Sequence, residues 1–215
     1  MHLHYLDDDL VVVEKPAGML SVPGRGPGLA DCVIARLQAI HADALTVHRL
    51  DMVTSGLLLH ARGKANQALL SRQFELRKVR KQYVALVEGE VVDADGEVDL
   101  PLRSDWEHRP RQCVDRVAGR PALTRWRLLA RCADSGRSLL ALEPVTGRTH
   151  QLRVHLASIG HPIVGDILYG AQPSDRVYLH AAQLEFTHPV TATTLLFESP
   201  APFASTAIQA SRTRG

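Results

Sequence analysis

The sequence holds few cysteines, few aromatic residues, no long apolar run and almost no net charge. Its three cysteines, Cys32, Cys113 and Cys132, are odd in number and form no CxxC pair. That argues against a disulfide frame or a zinc knuckle and predicts reduced thiols in the cytoplasm. No apolar stretch reaches the roughly 18 residues that a membrane helix needs. Met1 to Asp9 lacks a basic segment followed by an apolar core, so neither membrane insertion nor secretion is expected. The 11 histidines invite a metal hypothesis, but His2 and His4 sit at the terminus, and His150 and His155 are not spaced to share a helical face. No metal site is expected. A formal net charge of +2 is weak for a binder of polyanions, so any such function must rest on how charge is distributed.

Hydrophobic residues make up 45% and charged residues 22% of the 215 positions, as in ordinary globular chains. This length builds one domain, or a closely joined pair, with a full core. The charges are segregated. Arg72 to Lys81 carries five basic residues and one acid, Arg103 to Arg131 eight Arg and three acids, and Gln82 to Leu102 six acids with no Lys or Arg. Such a pattern predicts a basic face for phosphate and an acidic face turned away. For Arg72 to Lys81 alone, the solvated side of a helix over Lys64 to Arg77 explains the run equally well.

In Val47-His48-Arg49-Leu50-Asp51-Met52-Val53-Thr54-Ser55-Gly56 a single acid lies between a basic dipeptide and a Thr-Ser-Gly turn. The flanks Leu45 to Leu50 and Leu57 to Ala61 read as buried strands. Asp51 is therefore expected at a strand end, facing a cleft, either as a reactive carboxylate or as a cap of its own turn. An ionised carboxylate there requires a cation or several hydrogen bonds. Arg148 and Arg153 are both candidates. They belong to Gly147-Arg148-Thr149-His150-Gln151-Leu152-Arg153, which follows an apolar strand at Ser138 to Leu142 and opens a helix. Leu152, His155, Leu156 and Ile159 share one face of it, and Gly160 is its stop. The free N-H groups of its first turn favour an anion.

Together, His48-Arg49-Leu50-Asp51 with Thr54-Ser55-Gly56, Lys15-Pro16-Ala17-Gly18, Lys81-Gln82-Tyr83 and Gly147 to Arg153 resemble the RluA-type pseudouridine synthases. The similarity runs on through His161-Pro162, Gly165-Asp166 and Leu179-His180-Ala181 to Pro200-Ala201-Pro202-Phe203. The resemblance implies that Asp51 is the catalytic carboxylate, that Tyr83 packs on the target base, and that Arg153 is the salt-bridge partner of Asp51. Arg49 would fill the place vacated by a flipped nucleotide. His48, Thr54, Arg148, His150 and Gln151 are expected on the substrate side of the same motifs.

The implied reaction is the isomerisation of uridine in RNA. Nothing is hydrolysed or oxidised, so neither metal nor organic cofactor is needed. Asp51 would serve as a nucleophile or as a base. Glycoside hydrolysis commonly uses two facing carboxylates, and these motifs hold no second one. The short form resembles the subgroup that modifies stem-loops of both 23S rRNA and the tRNA anticodon arm. Target choice would then rest on the catalytic domain, through Arg103 to Arg131, a stretch in which Asp105-Trp106 and Arg109-Pro110-Arg111-Gln112 also look like that subgroup. Other readings are a single-target rRNA enzyme, an RNA-binding or RNA-folding module with dispensable catalysis, and a metal-dependent hydrolase.

Strands are expected at Asp9 to Glu14, around Asp51, and at Gln82 to Glu88, Glu97 to Leu100, Thr124 to Leu129, Ser138 to Leu142 and Thr194 to Glu198. Helices are expected at Leu29 to His41, with Val33, Leu37 and Ile40 inward, and at Lys64 to Arg77. This is an α+β pattern with a mixed, largely antiparallel sheet. The resemblance implies one catalytic domain over residues 1–205 with a central active-site cleft and no N-terminal accessory RNA-binding domain. A flexible tail is expected over 206–215, and the chain is expected to be a monomer.

Overall fold

The computed structural model describes residues 1–26, 28–132 and 135–205; the tail expected over 206–215 lies outside the described residues. The chain divides into two compact units, Met1–Lys81 with Ala181–Ser199, and Gln82–His180 with the chain from Pro200.

The first unit starts with β1 (His2–Leu6) and β2 (Leu10–Lys15), an antiparallel hairpin. The Asp7 carboxylate closes its turn by accepting the Asp9 and Leu10 N-H groups, each at 2.8 Å. Leu10 to Val13 are fully buried, as an unbroken apolar run demands. Strand β2 pairs antiparallel with β4 (Ser55–Arg62), which also pairs with the short β3 (Ala44–Thr46). Helices α1 (Val33–Gln38) and α2 (Lys64–Glu75) and the hairpin of β11 (Leu179–Thr187) and β12 (Thr194–Glu198) complete the unit. Leu57, Leu59 and Ala61 fall on one face of β4 by the two-residue period. They join Leu10, Val12, Leu70, Leu184 and Phe186 in one core.

In the second unit, β5 (Arg80–Glu88), β10 (Arg137–Pro144), β9 (Leu123–Cys132) and β6 (Asp95–Asp99) lie side by side, antiparallel at each step. A small separate ribbon pairs β7 (Leu102–Ser104) with β8 (Gln112–Val114). Helix α3 (Gln151–Ser158) and a single 3₁₀ turn, Ile167–Tyr169, pack with it around Leu102, Ala122, Val154 and Tyr169.

The α+β class and the antiparallel ladders agree with the sequence pattern. Several boundaries do not. The helix expected over 29–41 is confined to Val33–Gln38, because Cys32 bridges Leu20 and the Val33 N-H goes to the Leu20 carbonyl at 2.9 Å. Ile40, expected inward, lies beyond the helix and is 74% exposed. The strand expected over 45–50 stops at Thr46, since side chains rather than a neighbouring strand satisfy the backbone beyond it. Ile159, placed on the buried face of α3, is outside the helix and partly exposed. Strands β1, β7, β8 and β11 have no counterpart in the expected set. Strands β7 and β8 have three residues each, too few to show a period.

Candidate active site

The segment from Val47 to Thr54 has no regular secondary structure, yet buried side chains fix its backbone at three points. Ser21 holds Leu50 from both sides: its hydroxyl donates to the Leu50 carbonyl at 2.7 Å and accepts the Leu50 N-H at 3.1 Å. Lys15 is fully buried and spends its ammonium on the carbonyls of Pro16, Met19 and Met52, at 2.9, 2.8 and 3.1 Å. A buried ammonium is tolerated when its donors meet acceptors in this way. Gly18 adds an N-H bond to the same Met52 carbonyl at 2.8 Å. The Thr54 N-H then returns to the Asp51 carbonyl at 3.0 Å and closes a four-residue turn. Asp51 thus heads a turn clamped at Leu50, Met52 and Thr54, rather than ending a strand. Its main-chain carbonyl closes that turn.

The other candidate residues of this unit divide by exposure. Arg49 is exposed, while Thr54 is buried where it leads into β4. His48 turns inward. Its Nε2 accepts the Leu59 N-H at 3.0 Å and its ring stacks on Phe74, with centroids 4.5 Å apart. Burial, reinforced by the neighbouring His60 and Lys81, pushes its pKa down to about 3, so the ring is neutral with its proton on Nδ1. His48 is thereby tied to β4 and α2.

The second unit holds Tyr83, Arg148, His150, Gln151 and Arg153. Tyr83 is half-buried on β5, opposite Leu142 of β10. Arg153 lies on α3 with only 5% of its surface exposed, and it meets Asp166 edge to edge: Nε donates to Oδ2 at 2.6 Å and Nη2 to Oδ1 at 2.8 Å. The guanidinium carbon also lies 5.0 Å from the centre of the Tyr169 ring. This fork fixes the plane of the guanidinium, and lysine could not reproduce it. Asp166 was not among the expected site residues. Its only sequence signal is the Gly165-Asp166 pair, which carries no hint of its partner 13 positions earlier.

Gln151, expected at the substrate, is a rivet. Its Oε1 accepts the Thr146 hydroxyl at 2.6 Å and the Arg148 N-H at 3.0 Å, and its Nε2 donates to the Leu123 carbonyl at 2.9 Å and the Thr124 hydroxyl at 3.0 Å. Those four bonds use the full capacity of a carboxamide. Thr124 in turn bonds His155 Nδ1 at 2.9 Å, while His155 Nε2 donates to the Leu100 carbonyl at 2.9 Å. Burial lowers the His155 pKa, consistent with a neutral ring in that chain. His150 takes a left-handed conformation (φ 53°) at the start of α3, and its Nδ1 lies 2.7 Å from the Tyr169 hydroxyl. Arg148 is half-buried and donates from Nε to the Pro121 carbonyl at 3.0 Å.

One group of side chains among the described residues has the composition of a cation site: Asp7, Asp9 and His188. Its hydrogen bonding gives it another role. His188 Nδ1 accepts the Val190 and Thr191 N-H groups at 3.2 and 3.1 Å, so the proton sits on Nε2, which donates to Asp7 Oδ2 at 2.9 Å. A nitrogen that carries its proton offers no lone pair to a metal. The group pins the β1–β2 turn to the β11–β12 turn.

Residues 9–158 match the family described as RNA pseudouridylate synthase. The chain is 45% identical over 203 residues to the "Dual-specificity RNA pseudouridine synthase RluA" of Escherichia coli (strain K12), covering 93% of this chain and 92% of that protein. It is 45% identical over 205 residues to the protein of the same name from Pasteurella multocida (strain Pm70), covering 94% and 93%. Among solved structures it is similar to Human RNA Pseudouridylate Synthase Domain Containing 1. There the TM-score is 0.79 at 30% identity, over 97% of this chain and 86% of that one.

Proposed function

The chain belongs to the RNA pseudouridylate synthase family, isomerases that convert uridine in RNA to pseudouridine, and from that premise we propose that it modifies stem-loops of both 23S ribosomal RNA and the tRNA anticodon arm. The observation that carries this reading is the 45% identity, over 93% of the chain, to an enzyme named for dual specificity.

In the reaction the bond between the ribose carbon and N1 of uracil breaks, the base turns over, and its C5 bonds to the same carbon. The C5 proton is lost and N1 gains one, so atoms balance without water or an oxidant. Asp51 is the carboxylate that engages the nucleotide, as nucleophile or as base. Its clamped turn supports this role, because a positioned group avoids the entropy of being found. Tyr83 packs on the base. Arg153 keeps the carboxylate ionised, being a cation that does not give up its proton. Arg49, exposed next to the inward-turned His48, fills the stack left by the extruded nucleotide and so offsets part of an extrusion cost of a few kcal/mol. Thr54 and His150 shape the substrate side, and Gln151 acts by holding Arg148 and the start of α3. Residues 1–205 form the catalytic domain, active as a monomer in the cytoplasm.

Pseudouridine mapping of rRNA and tRNA tests the proposal, in cells with and without the gene, complemented by wild type or by Asp51→Ala. Sites in both RNA classes should vanish and return only with wild type. A site lost from one class alone would reduce the enzyme to a single target. Purified Asp51→Asn should lose turnover while its RNA affinity stays within about tenfold, because phosphate contacts dominate affinity.

A further inference from the structure

The ribbon of β7 and β8 exists to present one loop. Two strands of three residues, Leu102–Ser104 and Gln112–Val114, carry residues 105–111 between them. The loop is not slack. The Asp105 N-H donates to the Arg111 carbonyl at 3.0 Å, the Arg111 N-H to the His108 carbonyl at 2.9 Å, and His108 Nδ1 meets the Asp105 carboxylate at 3.1 Å. At its tip Trp106 is 69% exposed, in a chain with only two tryptophans. Arg109 lies over the indole, its guanidinium carbon 3.1 Å from the ring centre. One face of the ring is therefore occupied by a cation and the other is open to solvent.

An indole held this way in water is unusual, since an exposed apolar surface of that size gains nothing in the free protein. Its surroundings select the class of ligand. Arg109, Arg111, Arg116 and Arg120 are exposed and form no ion pair among the described residues. Of the three acids nearby, Asp115 meets Arg103 and Asp105 meets His108, while Glu107 is exposed on the loop, so the four arginines outnumber the one acid outside an ion pair among the described residues. An aromatic face backed by Arg109, on a loop followed in the chain by exposed Arg111, Arg116 and Arg120, suits an unpaired nucleobase with its flanking phosphates, because every base has a face to stack and arginine neutralises the backbone.

The loop is also wired to the matched motif within the same unit. The Gln112 N-H donates to the Tyr169 hydroxyl at 3.0 Å, and that hydroxyl bonds His150, while Arg111 and Arg153 both lie against the Tyr169 ring. A ligand held by the loop is thereby linked through Tyr169 to His150 and Arg153.

We propose that Trp106, backed by Arg109, is a stacking platform for one unpaired nucleobase of the substrate RNA other than the uridine that is isomerised. It is a binding and target-selecting element, not a catalytic residue. The proposal rests on the RNA-modifying function above and adds the residue that grips a second base.

The test uses the full chain carrying Trp126→Phe, so that Trp106 is the only indole, and two synthetic RNAs, an anticodon stem-loop and a 23S rRNA stem-loop. Binding of an RNA that uses the platform should quench Trp106 fluorescence. Trp106→Ala should raise KM about tenfold with kcat changed less than about threefold, Trp106→Phe should recover most of the loss, and Arg109→Ala should fall between them. Replacing loop nucleotides one at a time by abasic sites should reveal one position at which Trp106→Ala has no further effect. No quenching by either RNA, or an unchanged KM in Trp106→Ala, overturns the platform even if pseudouridine forms normally. Quenching by an RNA that the wild type never modifies would uphold the platform and overturn the dual-target reading instead.

Discussion

At the scale of the residue, this protein handles burial of charge in two different ways. Lys15 is surrounded by carbonyl dipoles and serves the backbone, holding the Lys15-Pro16-Ala17-Gly18 loop to the Asp51 turn through Met52. Arg153 meets a full countercharge, Asp166, which is 1% exposed. Removing one member of a buried ion pair strands the other, so Asp166→Ala is expected to lower the unfolding free energy by about 3–5 kcal/mol in urea titration. Asp166→Asn keeps an acceptor for one guanidinium edge and should lose less. Equal stability in all three proteins would mean that Arg153 is held by other contacts.

At the scale of the element, β4 makes the candidate site possible by how closely it packs at its first turn of chain. Gly56 has φ +111°, and a Cβ placed there would lie 2.3 Å from the Ala181 carbonyl oxygen and 2.6 Å from its nitrogen, both backbone atoms of β11. Neither the conformation nor the space admits a side chain. Gly56→Ala is therefore expected to cost more than about 2 kcal/mol, combining strain and overpacking. The measurement is the urea midpoint, with pseudouridine formation assayed on the folded fraction. The Thr54-Ser55-Gly56 sequence marks this position, but a turn is not its reason: the glycine is needed for the approach of a strand more than 120 positions later.

At the scale of the whole molecule, the buried histidines set the acid limit of stability. Burial pushes His60 down to about 4 and His48 to about 3, both from about 6.5. In the unfolded chain these rings bind protons near pH 6.5, whereas in the native protein they stay neutral to lower pH. Unfolding thus takes up protons between those limits. Stability is full above about pH 6.5 and declines as pH falls toward 4 and then 3. Asp7, whose pKa is lowered to about 2, adds a further loss below about pH 4; burial works against that lowering, and bonds from Tyr5, His188 and the backbone overcome it. Neither ring nitrogen of His60 has a hydrogen-bond partner among the described residues. His60→Leu should accordingly be more stable than wild type at pH 5, by about 1–2 kcal/mol, with a shallower acid slope in urea titrations at pH 7, 5 and 4. A parallel slope in both proteins would place the acid limit elsewhere.

What the sequence determined by itself was whatever is written in neighbouring residues. The apolar run of β2, the amphipathic α2, the α+β class and the motifs around Asp51, Tyr83 and Arg153 are all local patterns, and local patterns survive without coordinates. What only the tertiary structure decided was the pairing of distant residues: Arg153 with Asp166, Ser21 with Leu50, Gln151 with Thr124 and Leu123, Gln112 with Tyr169. None of these pairings is written in neighbouring residues. His48 and Gln151 are expected on the RNA side from sequence, and the fold adds the bonds of His48 to Leu59 and of Gln151 to Thr146, Arg148, Leu123 and Thr124, because a polar side chain reveals its hydrogen-bonding capacity locally but not the partner that uses it. Trp106 shows the same limit: in sequence it is one of two tryptophans with nothing to tell whether it is buried, and in the fold it is an exposed ring held by an arginine.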